Sequence, residues 1–368
     1  MSWLRLRSTY GTSFRSPALF EQFLADESGF LGQSSIDPCI RYGEKDNAEL
    51  AANCAADGIT DPEYTGAGGG SATIFSGGGI GQLDPETSKA WTMSAIFTPD
   101  GWLWNGGQFS FAVDYINIKV KAEVTQLGAA NILLGCYTSD QFPDDPLCSL
   151  FTRAGAGTAH PGAVLTVHDP YLNINAQENT SLDFTTRFRQ DLGGWGSLSL
   201  LGQATWTLKD KFELFQDTPF TNNGRAGDPH WVGDLNVSWN MGSIAPVTLT
   251  YGFNYIGKTN NFHDLEDLAG AGNVCLSTGN GFAARGGPYC PVYKLPAVTY
   301  HSLSAEIQVT HDMSFLIGVS NMFNKKPPLV STVGTPIQAI GNVAVNGTYY
   351  DYLGRRVFVS VRTNLPKL

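Results

Sequence analysis

Two stretches of the sequence carry side chains that could bind a ligand or act on one. Residues 262–267 read Phe-His-Asp-Leu-Glu-Asp, and imidazole and carboxylate groups are ligand types that bind cations. Asp84 and Glu86 form a carboxyl pair, and two carboxyls at a set separation can hydrolyse a glycosidic bond. A solvated acidic loop and the start of a strand explain these stretches more simply. We therefore predict no catalytic residue, no metal site, no cofactor and no enzyme activity, and we keep as candidate ligand contacts of an exterior loop His263, Asp264, Glu266 and Asp267.

The six cysteines lie in three pairs of near neighbours along the chain. None of the pairs has the two-residue spacing that metal sites and redox motifs favour. We predict three local disulfides, and hence an oxidising compartment. The pairs are Cys39 with Cys54, Cys136 with Cys148, and Cys275 with Cys290.

The composition excludes several classes of protein. The net charge of −10 leaves no surplus of Lys and Arg, so no nucleic-acid partner is expected. No apolar run approaches the roughly 18 residues that a membrane helix needs. The opening residues 1–7 lack the apolar core and cleavage site of a secretory signal peptide. The acidic surplus is concentrated between residues 11 and 87, which hold twelve acidic and three basic side chains.

Alternation of apolar and polar residues predicts strands along most of the chain. Val247, Leu249 and Tyr251 alternate with Thr248 and Thr250, and successive side chains of a strand point to opposite faces. We find the same pattern in ten runs. The predicted strands lie near residues 2–10, 88–98, 107–119, 179–191, 196–210, 229–240, 246–258, 299–310, 313–322 and 356–365.

The connections between these runs alternate strictly between long and short. An antiparallel up-and-down barrel in a membrane produces this alternation, with long extracellular loops and short periplasmic turns. All six cysteines fall in long loops, which is consistent with an oxidising exterior. A soluble β-sandwich also has alternating strands, but it gives no reason for the loops to differ between its two ends. The sequence therefore favours an all-β transmembrane barrel wall.

The two faces of the predicted strands differ in chemistry. One is rich in Trp, Phe, Tyr, Leu and Val, which suits lipid, and the other carries polar residues, which suit a hydrated or protein-filled lumen. Interfacial aromatic girdles are expected at both ends of the strands. The candidates are Trp102, Trp104, Trp195 and Trp239 beside the short turns, and Trp206, Trp231 and Tyr255 toward the long loops.

Several short segments are specific as an ordered set, and they are residues 10–19 (YGTSFRSPAL), 37–39 with 53–54, 83–88 (LDPETS) with 97–99, 113–118 (VDYINI), 136–148, 321–328 (NMFNKKPP) and 350–356 (YDYLGRR). These segments resemble, in the same order, segments of TonB-dependent outer-membrane receptors. The resemblance implies a 22-stranded barrel filled by an N-terminal plug. It implies that residues 1–368 are the C-terminal portion of the barrel domain, about ten strands, without the plug, the first twelve strands or a signal peptide.

The resemblance also implies energised import of a scarce nutrient across the outer membrane of a Gram-negative bacterium. The implied partners are the TonB energy-transducing complex, reached through the missing plug, outer-membrane lipid, and a small-molecule or oligosaccharide ligand. The acidic first loop would repel anionic ferric siderophores, whereas exterior aromatic rings could stack on neutral sugars. The aromatic candidates are Tyr64, Phe75 and Tyr137.

Two functions of other classes fit parts of the pattern. A stand-alone ten-stranded outer-membrane barrel enzyme of the protease type would need Asp and His side chains that meet at the barrel rim. A secreted sugar-binding β-sandwich would be soluble without detergent. The chain alone is expected not to transport, because an open sheet in lipid leaves two edges of unpaired backbone groups.

Overall fold

A computed structural model describes residues 3–66, 70–99, 101, 103, 106–214, 219–242, 244–260, 292–334, 338–345 and 347–363 of the chain. Within them, ten antiparallel strands form one continuous meander. We call these the first to tenth wall strands. Their bounds are Leu4–Arg15, Glu86–Phe97, Gln108–Gln126, Val164–Asp191, Ser197–Glu213, Trp231–Asn240, Val247–Ile256, Val298–Thr310, Met313–Ser320 and Arg356–Thr363. All ten predicted strands are confirmed.

The register of the strands places apolar side chains on one face of the sheet and polar side chains on the other. One row across five strands is wholly apolar, and it consists of Trp239, Leu249, Ala305, Ile317 and Val359. Across the sixth to ninth wall strands the adjacent row has only small side chains, mostly hydroxyl-bearing, and it consists of Ser238, Thr250, Ser304 and Gly318; on the tenth strand this row ends at Phe358. Because side chains alternate between faces, the sheet has an apolar face and a polar face, as predicted.

The sheet is open in the part of the chain that the structure describes. Each wall strand pairs with the strands before and after it, and the first and tenth each have one wall-strand neighbour. This arrangement is neither two packed sheets nor a closed ten-stranded barrel. It confirms the predicted all-β barrel portion, with about ten strands of an antiparallel up-and-down wall.

Long and short connections alternate as the sequence predicts. The short connections are residues 98–107, 192–196, 241–246 and 311–312, and the long ones are residues 16–85, 127–163, 214–230, 257–297 and 321–355. The structure describes no helix long and apolar enough to cross a bilayer. Trp102 and Trp104 of the predicted girdle lie outside the described residues.

The long connections contain short elements of their own. The helices are Leu19–Phe23, Gln33–Ile36, Ala48–Ala56 and Ala129–Tyr137, and short 3₁₀ turns cover Tyr42–Glu44, Pro146–Leu150 and, in a short connection, Gly193–Trp195. Further strands are Glu27–Gly32, Ser71–Gly77, Phe151–Arg153, Pro219–Thr221, Thr259–Asn260, Lys294–Leu295, Leu329–Gly334 and Gln338–Ala344.

The first two long loops pack together into a compact unit, which we call the loop module and define as residues 33–66, 71–77 and 127–167. Its core includes the fully buried side chains of Ile132, Leu133 and Tyr137. Disulfides join Cys39 to Cys54 and Cys136 to Cys148, so two of the three predicted bridges are confirmed. Cys275 and Cys290 lie outside the described residues.

The third and fourth wall strands are longer than predicted because the loop module extends the sheet. The fourth strand begins at Val164 rather than near residue 179, and Ser71–Gly77 pairs with its added segment in parallel. The side chain of Gln33 exchanges two hydrogen bonds with the backbone of Val164, at 2.7 and 2.9 Å. These contacts join residues that are far apart in the chain, so local alternation could not have revealed them.

Candidate functional site

A cavity of about 800 Å³ lies where the polar face of the wall meets the last long loop, and we call it the mouth pocket. One register row of the wall, formed by Gln203, Asp234, Asn254 and Tyr300, supplies its floor. The loop supplies Tyr350, Asp351 and Tyr352, and Arg356 begins the tenth wall strand. The pocket therefore faces the lumen side at the end of the strands that carries the long loops.

Asp351 fixes the loop against the wall. Its carboxylate accepts hydrogen bonds from Asn321 Nδ2 at 3.1 Å, Leu353 N at 3.0 Å and Arg356 Nη1 at 2.8 Å. Partial burial acts to raise the pKa of Asp351, but the hydrogen bonds from Asn321 and Arg356 outweigh it, and the pKa lies below its usual value. The carboxylate is therefore ionised at neutral pH, and its charge is partnered by Arg356.

Three tyrosines of the pocket have different hydroxyl environments. Tyr300 Oη accepts a hydrogen bond from Asp351 N at 3.1 Å, and Tyr352 Oη accepts one from Gly347 N at 3.0 Å. The hydroxyl of Tyr350 is buried and has no hydrogen-bond partner among the described residues. An unsatisfied buried hydroxyl costs about 1–3 kcal/mol, and Tyr350 lines the mouth pocket, so a ligand group that reached this hydroxyl would remove that cost.

The described lining of the mouth pocket carries no surplus positive charge. Its charged groups are Asp234, Asp351 and Arg356, and Arg356 is already paired with Asp351. Further along the polar face, Asp114 and Asp183 lie opposite each other across the third and fourth wall strands, and Arg7 of the first wall strand lies in the same register row. The polar face next to the pocket therefore carries charges of both signs.

The loop module is organised by a buried ion pair. Arg153 donates to both oxygens of Asp37, at 2.7 and 2.6 Å, and the two side chains are 7% and 0% exposed. Burial acts to lower the pKa of Arg153, but the Asp37 carboxylate outweighs it, so the pKa lies above its usual value. Arg153 Nε also donates to Tyr137 Oη at 2.5 Å, and that hydroxyl donates to Asp57.

The structure separates the three aromatic residues that were predicted to stack on a ligand. Tyr137 is fully buried among these polar groups, so the prediction that its ring faces a ligand is wrong; the hydrogen bonds to its hydroxyl allow its burial. Tyr64 packs against the core of the loop module. Phe75 is partly exposed and stacks on His168, with the ring centres 5.2 Å apart. Both remain predictions as ligand contacts.

The remaining predicted contacts are not in the described part of the chain. His263, Asp264, Glu266 and Asp267 all fall within residues 261–291, which the structure leaves out. The described residues contain no group of three or more His, Cys, Asp or Glu side chains that could hold a metal ion.

The carboxyl pair near the second wall strand has a structural role. Glu86 is held by Arg15 at 2.5 Å and accepts a hydrogen bond from Val124 N at 2.8 Å. Arg15 also bonds Glu21 of the first long loop. Glu86 is therefore part of an ion-pair network that joins the first two wall strands to that loop.

Sequence reasoning missed the residues that build the mouth pocket. Tyr350, Asp351 and Arg356 belong to the segment 350–356 used for the resemblance, but nothing in their spacing indicates a pocket. The available signal was a cluster of tyrosines at 349, 350 and 352 directly before the last strand. Aromatic residues with an acid and an arginine at the mouth of a barrel are typical of ligand sites.

Comparisons with known proteins agree with this geometry. The family model described as "TonB dependent receptor-like, beta-barrel" matches residues 2–322. No curated protein matches the sequence.

Among solved structures, a variant of the ferric enterobactin receptor PfeA of Pseudomonas aeruginosa, in complex with enterobactin, is similar at 14% identity and a TM-score of 0.55. The siderophore receptor PirA of Acinetobacter baumannii is similar at 11% identity and a TM-score of 0.52. Each match covers 99% of this chain and 39% of the receptor. At such low identity these likenesses establish the fold alone.

Proposed function

Because this chain belongs to the TonB-dependent receptor family through its β-barrel domain, we propose that it forms part of the wall of an outer-membrane receptor that imports a scarce solute. The lipid bilayer would contact the apolar face of the sheet, and the polar face would line the lumen. The proposed location is the outer membrane of a Gram-negative bacterium.

The wall strands are proposed to be ten of a larger number. The sheet has two open edges in its described part, and unpaired backbone groups cost several kcal/mol each in lipid. The chain spans 39% of the length of the receptors it matches. We therefore propose that residues 1–368 are the C-terminal portion of the barrel domain. A plug held by the complete barrel would receive energy from the TonB complex.

We propose a neutral, hydroxyl-rich ligand such as an oligosaccharide, bound in the mouth pocket. The observation that carries this proposal is the charge of the pocket, in which Arg356 is paired and Asp234 leaves a negative balance. An anionic ligand would be repelled there, whereas tyrosine rings and amides suit sugar faces and hydroxyls. The hydroxyl of Tyr350, which has no hydrogen-bond partner among the described residues, would offer one further hydrogen bond.

A ferric siderophore is the second candidate ligand. The similar PfeA structure holds enterobactin, and the match to it covers 99% of this chain. Such a ligand would need positive groups from parts of the receptor beyond the described lining of the mouth pocket.

Uptake separates the two candidates. Cells that express the protein from its own gene are offered radiolabelled neutral oligosaccharides and ferric siderophores, with and without an inner-membrane proton gradient. We expect gradient-dependent uptake of an oligosaccharide and none of a siderophore. Siderophore uptake alone would reverse the assignment of the ligand, and no energised uptake of any solute would overturn the proposed function.

A conservative substitution tests the pocket itself. Tyr350→Phe removes only the unpartnered hydroxyl, so the affinity for the imported oligosaccharide should fall about 2- to 10-fold, the range for one neutral hydrogen bond. Tyr10→Phe is the matched control, because Tyr10 is exposed on the first wall strand, outside the pocket. Equal affinities of Tyr350→Phe and the wild type would exclude the mouth pocket as the site.

A further inference from the structure

A second cavity, of about 840 Å³, lies on the opposite, apolar face of the wall, and we call it the rim pocket. Trp206 and Trp231 form one side of it. They are register partners on the fifth and sixth wall strands, and their rings stack with centres 5.1 Å apart. Leu208 and Leu295 add apolar surface. The cavity is therefore lined by flat aromatic and aliphatic groups on the face predicted to contact lipid.

The position of the rim pocket along the bilayer normal can be estimated from two tryptophans of the sixth wall strand. Trp231 and Trp239 lie on the same face of that strand, eight positions apart, which is about 27 Å along the strand. A strand tilt near 40° reduces this to roughly 20 Å across the bilayer, close to the apolar band of such barrels, about 25 Å. Trp239 lies beside the short connections, so the rim pocket lies at the outer interface.

Positive groups border the rim pocket on the side of the long loops. Lys258 follows the seventh wall strand, and Lys294 begins the short strand that pairs with Thr259–Asn260. His230 is a third lining residue. Neither lysine forms an ion pair within the described part of the chain, and no carboxylate is among the described lining residues. Lys294 Nζ lies 5.5 Å from the centre of the Tyr293 ring. The described lining thus combines an apolar wall with two ammonium groups that no described carboxylate neutralises.

We propose that the rim pocket binds a lipid that carries a phosphate group, with an acyl chain against Trp206 and Trp231 and the phosphate between Lys258 and Lys294. Charge complementarity identifies this occupant, because a neutral acyl chain would use the apolar wall and leave both lysines unpaired. Tryptophan and lysine side chains are favoured at the level of lipid headgroups. This inference rests on the proposed location in an outer membrane, but not on the imported solute.

Native mass spectrometry of the receptor, expressed from its own gene and purified in mild detergent, tests the proposal. The receptor is offered phosphatidic acid and phosphatidylcholine with identical acyl chains, and inorganic phosphate in a separate sample. We expect phosphatidic acid to be retained over phosphatidylcholine, and inorganic phosphate at equal concentration not to displace it. Replacing both lysines, Lys258→Gln with Lys294→Gln, should weaken phosphatidic acid binding about 25-fold, from roughly 5-fold for each lysine near an anionic headgroup.

The matched control is Lys325→Gln with Lys326→Gln, which removes two lysines of another long connection that do not line the rim pocket. This variant should retain phosphatidic acid as the wild type does. Equal retention of the two lipids, displacement by inorganic phosphate, or equal loss in both double variants would overturn the proposal, as would a chain dimer that occupies this face. If phosphatidic acid is retained but cells show no energised uptake, the proposed lipid site is supported and the proposed import function is rejected.

Discussion

Buried charges show how single residues of this chain depend on their partners. Arg153 and Asp37 come from different long loops and meet inside the loop module. Taking two charges out of water is costly, and the pair is tolerated because both carboxylate oxygens are bonded by the guanidinium group. The Asp351 carboxylate at the mouth pocket is stabilised in a similar way, because three groups donate hydrogen bonds to it.

Removing the buried guanidinium group should destabilise the loop module strongly. Arg153→Met leaves the buried Asp37 carboxylate with the hydrogen bond from Cys39 N but without its cationic partner, and breaking a buried pair in this way costs about 3–5 kcal/mol. Native-state hydrogen exchange across residues 33–66 measures the change. Arg41→Gln is the control, because the Arg41–Glu44 pair is long at 4.0 Å and exposed, and its loss should cost well under 1 kcal/mol. Similar losses in the two variants would contradict the assigned role.

The loop at the mouth pocket should open in acid. The pKa of Asp351 is lowered in the folded state, so its contribution is present above the usual aspartate pKa of about 4 and is lost as the pH falls through the folded value. We expect hydrogen exchange of residues 347–355, corrected for intrinsic rates, to be slow at pH 6 and to become steadily faster as the pH falls below the usual aspartate pKa. Asp351→Asn should exchange rapidly throughout this range. A wild-type loop whose protection does not change with pH, or changes as it does in Asp351→Asn, would refute this account.

Individual site residues were harder to predict than strands. Phe75 and Tyr137 are both aromatic residues of long loops, yet one is partly exposed and the other fully buried. Their difference depends on Arg153 and Asp57, which are distant in sequence and bond the hydroxyl of Tyr137. The composition of the sequence around Tyr137 does not indicate such contacts.

At the scale of elements, strands and loops differ in what the sequence reveals. The wall strands were predictable because one buried or lipid-facing side imposes a period of two on each strand by itself. The two described disulfides were predictable because each closes a local loop. The loop module was not predictable, since its core joins residues 33–66 to residues 127–167 by long-range packing.

Removal of one disulfide should loosen the loop module and leave the wall unchanged. The Cys39–Cys54 bridge closes a loop with a sequence separation of 15 residues, which corresponds to about 3 kcal/mol in the chain-entropy account. The double variant Cys39→Ala with Cys54→Ala should lose about that much stability in residues 33–66. Hydrogen exchange of the seventh and eighth wall strands serves as the internal control. Equal loosening of those strands would mean that the module and the wall unfold together.

At the scale of the whole molecule, one sheet separates two environments. The apolar row of Leu249 and Ala305 and the polar row of Thr250 and Ser304 are adjacent in the same strands, so the two rows face opposite sides of the wall. The mouth pocket lies on the polar face and the rim pocket on the apolar face. The proposed import and the proposed lipid binding therefore use opposite sides of the same strands.

The central claim is that this sheet is the wall of a membrane barrel, and accessibility of nitroxide labels tests it most directly. Single cysteines are placed at Leu249, Thr250, Ser304 and Ala305 in cells that express the protein from its own gene, and outer membranes are isolated. We predict high collision rates with oxygen, which dissolves in lipid, at Leu249 and Ala305 and low rates at Thr250 and Ser304. Labels at Leu249 and Ala305 that are shielded from oxygen, or as accessible to a water-soluble reagent as their neighbours, would contradict the claim.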